Sequence, residues 1–206
     1  MLARLFVIIG GLIVAVLMAA LLAPYFVDWT GYKASFEAEA SKILGRPVKV
    51  AGAASARLLP FPSVTFSNVR VGEDSENPVL TMEKFSMDAE LAPFLSGQVL
   101  IFDMRVVAPH GVLTVDKNGV VDWTLRPNTP FDASKITVEN MVISNGQIDI
   151  LSEASGTTHR LDIATATVSA RALTGPWRLN GDMLFDGETL KIDGATGQMG
   201  DKATHS

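Results

Sequence analysis

From Pro47 onward one pattern governs the chain: apolar and polar residues trade places at every second position, in segments such as "SVTFSNVRVG", "QVLIFDMRVV", "KITVENMVIS", "HRLDIATATVSA" and "PWRLNGDMLFDGETLKIDG". A period of two sends alternate side chains to opposite faces of an extended chain, so these segments read as roughly ten to twelve short strands joined by hairpins. Asn118–Gly119 in "DKNGVV" and Asp186–Gly187 in "FDGETL" supply the residues that tolerate positive φ in tight turns. Only "LAPFLSG", Leu91–Gly97, reads as a single helical turn, and "RPNTPFDAS", Arg126–Ser134, reads as a connection between strand groups. A loose recurrence of "SNVRVG", "DMRVVAPHG" and "ENMVISNG" points to a sheet extended by successive similar hairpins.

The stretch "LLPFPSVTFSNVRVG" shows how such a sheet starts. Pro60 and Pro62 cannot donate ladder hydrogen bonds, so pairing is expected to begin after them. Val64 and Phe66 then share one face, and Asn68 breaks the alternation so that Val69 and Val71 follow in shifted phase, as a β-bulge allows. Elsewhere Leu100, Phe102, Met104 and Val106, Val121 with Trp123 and Leu125, and Ile148 with Ile150 repeat the one-sided pattern. Such a face must be covered by helices, by another sheet or by a ligand. The sequence after residue 50 offers almost no helix, which leaves two architectures open: an elongated, curved, largely antiparallel sheet with an apolar groove, or a closed barrel or β-sandwich whose faces cover each other.

The other end of the chain is different. Leu5–Val27 is a run of 23 residues without a charge, and as a helix it would reach about 34 Å, enough for a hydrocarbon core of about 30 Å. A cleaved signal peptide usually has a shorter apolar region, so the expectation is an uncleaved anchor. Arg4 and the amino terminus precede the run and Asp28 follows it, which orients the bulk of the chain away from the cytoplasm. Tyr25, Phe26 and Trp29 fit an aromatic belt at the outer interface. Trp29, Tyr32, Phe36, Ala40, Ile43 and Leu44 then recur at helical spacing between Asp28 and Gly45, and the apolar side of that amphipathic helix is expected to cap the end of the sheet.

A net charge of −5 and the absence of any Lys/Arg run exclude nucleic acid as a partner, because phosphate binding depends on concentrated positive charge. There is no cysteine for disulfides or thiol chemistry. His110, His159 and His205 lack metal-site spacing, and neither a G-x-S-x-G, a Walker-type nor an H-E-x-x-H sequence occurs. Asp116, Asn118 and Asp122 fit a hairpin turn better than a calcium loop. The expectation is a non-catalytic protein with no cofactor and no metal.

The order of these features resembles the N-terminal part of the AsmA family of bacterial envelope proteins. The resemblance rests on the anchor, the helix ending in "LGRPVKVAG", the "LPFPSV" to "NVRVG" strand and the "LTGPWRLNGD" segment, which together span nearly the whole chain. It implies an anchor over 1–27, an amphipathic helix over 28–45, a periplasmic β domain over 46–200 and a disordered tail over 201–206. It further implies a single-pass inner-membrane protein with a cytoplasmic N-terminus, associated with outer-membrane assembly, protein targeting to the membrane or phospholipid handling. The partners it implies are the inner membrane, phospholipid and other envelope proteins. On this reading the groove is lined by Val64, Phe66, Leu100, Phe102, Met104, Val106, Trp123, Ile148 and Ile150. The alternative is a module that pairs by a strand edge with another envelope protein. Family members are usually several times longer, which allows a truncated or fragmentary gene product.

Overall fold

The alternating segments build one mixed sheet of eleven strands in a computed structural model of the chain, which describes residues 2–26, 33–72, 78–122 and 132–196. Two helices come first, α1 (Leu2–Phe26) and α2 (Lys33–Leu44). The strands β1 (Val48–Val50), β2 (Ala54–Arg57), β3 (Ser63–Val71) and β4 (Leu80–Ala89) follow, then the short helix α3 (Leu91–Phe94). After it come β5 (Val99–Val107), β6 (His110–Val115), β7 (Val121–Asp122), a 3-10 turn, β8 (Ile136–Ser152), β9 (Thr158–Ala170), β10 (Trp177–Phe185) and β11 (Glu188–Ala195). In space the order is β1-β3-β4-β5-β8-β9-β10-β11, with β2 beside β3, β6 between β4 and β8, and β7 on β6. Among the described strands the path is open, running from β1 to β11 without closing, so the sheet is not a closed barrel.

Local chemistry sets the boundaries. β3 starts at Ser63, directly after Pro62, as the missing proline N–H requires. Asp186 and Gly187 both take positive φ and close the β10–β11 hairpin. At Asn118–Gly119 only the glycine does so. There the Asp116 carboxylate accepts the Asn118 and Val120 N–H groups at 2.8 Å each and makes the turn itself. Gly45, with φ 67°, ends α2 in the left-handed conformation that suits a helix C-terminus.

α2 caps the β1 edge of the sheet. Phe36, Ala40 and Leu44 pack on Val48, Val50, Phe66, Val69 and Val71, and the Phe36 and Phe66 rings lie 4.0 Å apart. The helix also satisfies the backbone of the edge strand: Val50 N donates to Glu37 Oε1 and Val48 N to Ser41 Oγ, both at 2.8 Å. Ile43, assigned by spacing to the packed stripe, is instead exposed. Asp28, Trp29 and Tyr32 lie outside the described residues, and the described helix starts at Lys33.

Two features depart from a chain of short hairpins. β8 and β9 run 17 and 13 residues, and β8 lies parallel to both β5 and β6. The paired residues are 37 positions apart along the whole ladder, Met104 with Met141, Val106 with Ile143 and His110 with Gln147. The recurrence of "DMRVVAPHG" and "ENMVISNG" is therefore two similar strands side by side, their positive-φ residues Ala108 (φ 49°) and Asn145 (φ 53°) in equivalent positions.

Asn68 (φ 52°) belongs to the same line. The interruption crosses β3 at Asn68, β4 at Glu83, the β5–β6 junction at Ala108, β8 at Asn145 and β9 at Ala164, judged by the pairs on either side. At each crossing one residue is added and the apolar phase moves by one, so Phe66 and Val69, or Ile143 and Ile148, stay on one face. A β-branched residue is poorly tolerated at such a φ. Asn68→Val is expected to cost about 1–2 kcal/mol, with Asn68→Gly costing much less, read as thermal unfolding of the full chain.

α1 takes 25 residues and carries no charge after Arg4. Its described side chains are exposed, and over the side chains described no helix has the length and hydropathy to cross a membrane.

Candidate functional site

Residues paired across neighbouring strands point to the same face of a sheet, so the ladders can be read as rows. One row runs Val64, Met87, Met104, Met141, Val168, Leu179 across six strands, every member apolar. The next runs Phe66, Phe85, Val106, Ile143, Ala166, Gly181, Ile192. Beyond the line of interruptions a third runs Val71, Leu80, Gly111, Ile148, Leu161, Phe185. Together they make one apolar surface that spans the sheet.

Only part of that surface is covered. Under α2 the residues Phe66, Val69 and Val71 are buried, and a second buried cluster forms from Ile163, Ala166 and Met183. Between them Met87, Met104, Val106, Met141 and Ile143 are only half-buried. Among the described elements no layer lies over them. The three adjacent methionines matter chemically, because unbranched thioether chains adapt to irregular apolar partners.

Several expected groove residues fall in these rows: Val64 and Met104 in the first, Phe66 and Val106 in the second, Ile148 in the third. Ile150 pairs with Leu113 and His159, on the same side of β8 as Ile148. Leu100 does not join them. The ladder between β4 and β5 shifts after Asp88, leaving Phe102 as the extra residue, and Ile101 takes the buried place opposite Ala89 and Val138. Leu100 pairs instead with Thr137. Phe102 sits at this bulge with its ring 5.2 Å from that of Phe61. Trp123, Trp29 and the side chains of Tyr25 and Phe26 lie outside the described residues. Alternation within one strand gave no signal for Phe85, Met87, Met141, Ile143, Val168 and Leu179 as members of a common surface, because their juxtaposition depends on which strands pair.

The opposite face is polar. Near β2 it holds an open cavity of about 540 Å³ lined by Arg57, Lys84, Arg105, Asp88, Asp103 and small hydroxyl residues. Asp103 accepts from Arg105 Nε at 2.8 Å, which raises the guanidinium pKa, and from Asn140 Nδ2 at 3.0 Å. Farther along, His110 Nε2 lies 3.0 Å and Arg160 Nε 3.3 Å from the Asp149 carboxylate. On the apolar side, opposite Ile150 and stacked on Phe185, His159 Nδ1 lies 2.7 Å from Asp186 Oδ2. Among the described residues no polar side chain is buried and no three His, Asp or Glu converge as a metal site would need.

The contact with His110, and then those with Gln147 and Arg160, hold the Asp149 carboxyl below its ordinary value. A depressed folded-state pKa contributes stability above the unfolded value of about 4 that is lost as pH falls through the folded one. Asp149→Asn is therefore expected to flatten the acid side of the stability profile below about pH 4, checked by melting temperature against pH.

The AsmA family model matches this chain over residues 1–198. Comparison with curated proteins and with solved structures returned no match.

Proposed function

Since the chain belongs to the AsmA family, we propose that it is a non-catalytic protein of the bacterial inner membrane whose apolar sheet face holds the acyl chains of phospholipid during envelope assembly. Membership of the family supports an envelope-related role. The observation that carries the finer reading is the set of apolar rows running across the strands with half-buried members and no described layer above them. Aliphatic, aromatic and thioether side chains can replace water around an acyl chain at about 25 cal/mol per Å² of apolar surface removed from solvent. On the same reading α1 anchors the chain in the membrane, supported by its length of 25 residues and the absence of any charge after Arg4, and the sheet lies in the periplasm.

The test is native mass spectrometry of the full chain released from membranes in mild detergent. Phospholipid is expected to remain bound through desolvation. Protein that flies free of lipid, with its sheet intact by circular dichroism, would sink the groove.

A second reading, strand-edge pairing with another envelope protein, is favoured by one asymmetry. The β1 edge is occupied by α2, whereas β11 pairs with β10 alone among the described strands. A photocrosslinker at Leu190 on β11 is expected to capture that partner, and an empty crosslinking profile counts against this reading.

A further inference from the structure

The end of the sheet at which β2 gives way to β3 carries an apolar surface that the groove does not use. Leu58 and Phe61 stand in the β2–β3 loop, and Leu91, Phe94 and Leu95 stand in and just after α3; all five are between 45% and 90% exposed. The two segments form one tip. Ala89 N donates to Pro62 O at 2.8 Å, Glu90 N to Leu100 O at 2.9 Å, and the Phe61 ring packs edge-on against Phe102. Across Leu58–Pro62 and Leu91–Gln98 there is no charge, with Arg57 and Glu90 just behind. Exposed apolar patches elsewhere, such as Val112, Phe185 and Leu190, are interleaved with Asp149, Asp186, Glu188 and Lys191.

The direction of α2 indicates what this tip faces. Ser41 contacts Val48, Glu37 contacts Val50 and Lys33 Nζ donates to Gly52 O at 2.8 Å, so the helix runs antiparallel to the path from β1 to β2. Its N-terminus therefore points toward the end of β2 and the tip. Seven peptide steps separate Lys33 from Phe26, the last residue of α1, and a chain of that length spans at most about 25 Å. The end of α1 therefore lies within that distance of Lys33, at the end of α2 that points toward the tip.

We propose that this tip seats in the headgroup and acyl boundary of the same bilayer that holds α1, with Leu58, Phe61, Leu91, Phe94 and Leu95 inserted. The inference rests on the reading of α1 as an anchor. An uncharged set of Leu and Phe gains the transfer energy of the interface without the cost of burying charge. It also joins the bilayer to the groove, because Phe61 contacts Phe102, and Phe102 stands beside the row that begins with Ala89, Ile101 and Val138. The tip is then the mouth through which an acyl chain passes from membrane to sheet.

The chain has no native cysteine, so single sites can be labelled without background. Full-length protein carrying Leu95→Cys, Val112→Cys or Val14→Cys, each labelled with a nitroxide, is placed in nanodiscs of phosphatidylethanolamine and phosphatidylglycerol. Collision with oxygen is then compared with collision with a water-soluble nickel chelate. The expected result is a preference for oxygen at Leu95 and Val14, reversed at Val112, an exposed apolar site at the far end of the sheet. A Leu95 probe that behaves like Val112 while Val14 remains in lipid overturns the tip and leaves the anchor standing. Nickel preference at all three sites overturns both.

Discussion

If the apolar face holds phospholipid as proposed, Met104→Asp is expected to strip it while the same aspartate on the other side of the sheet leaves it in place. Met104 lies in the middle of the first apolar row, between Met87 and Met141, and is half-buried. On that reading a carboxylate there would face acyl chain instead of water, and placing an Asp in hydrocarbon costs about 3 kcal/mol on insertion scales. That corresponds to about 100-fold weaker binding. Thr167 provides the control, because it pairs with Val142 and Asn180 on the polar face and is exposed. Thr167→Asp should leave lipid occupancy within about twofold, since surface substitutions rarely exceed 0.5 kcal/mol. Met104→Leu, which conserves volume and apolarity, should behave like the parent. The measurement is the lipid-bound fraction by native mass spectrometry, with the melting temperature of each variant taken alongside. Equal lipid loss in both aspartate variants, or in neither, contradicts a one-sided groove.

Much of this surface follows from local sequence, and the part that does not has a definite cause. Pro62 marks where β3 begins, Asp186–Gly187 closes a hairpin and Asn68 shifts the phase of β3; each acts through its own backbone and is visible in a few residues. Alternation likewise assigns Val64 with Phe66, and Met104 with Val106, to one face. It fails at Leu100, because the bulge at Phe102 changes the parity of β5 and puts Ile101 in the core. A bulge is a property of a strand pair, and the sequence of one strand does not contain it. The same reason hides the parallel match of β5 and β6 with β8: the two segments look alike, but similarity alone does not distinguish successive hairpins from strands lying side by side. The rows of methionine and aromatic residues exist only once that pairing is known.

Phe66 is where the sheet, the capping helix and the apolar surface meet, and its removal is expected to be the most damaging single truncation. The side chain is 4% exposed, its ring lies 4.0 Å from that of Phe36 on α2, and it stacks 6.4 Å from that of Phe85 on β4. Phe66→Ala empties the volume between helix and sheet, and neither neighbour can close it without moving α2. Such truncations cost about 3–5 kcal/mol, the lost transfer energy plus the cavity left behind. A small domain is stable by only about 5–15 kcal/mol, so α2 should loosen before the rest of the sheet does. Hydrogen exchange would show it as lost protection at Val48 and Val50, whose N–H groups are held by Ser41 and Glu37 of α2. Phe66→Leu should recover most of the stability and the protection. The far end of the sheet offers the contrast: the cluster of Ile163, Ala166 and Met183 touches neither α2 nor Phe66, so its protection should survive the truncation. If protection falls equally at both ends, the capped edge and the open face form one cooperative unit, and access to the groove could not be changed by loosening α2 alone.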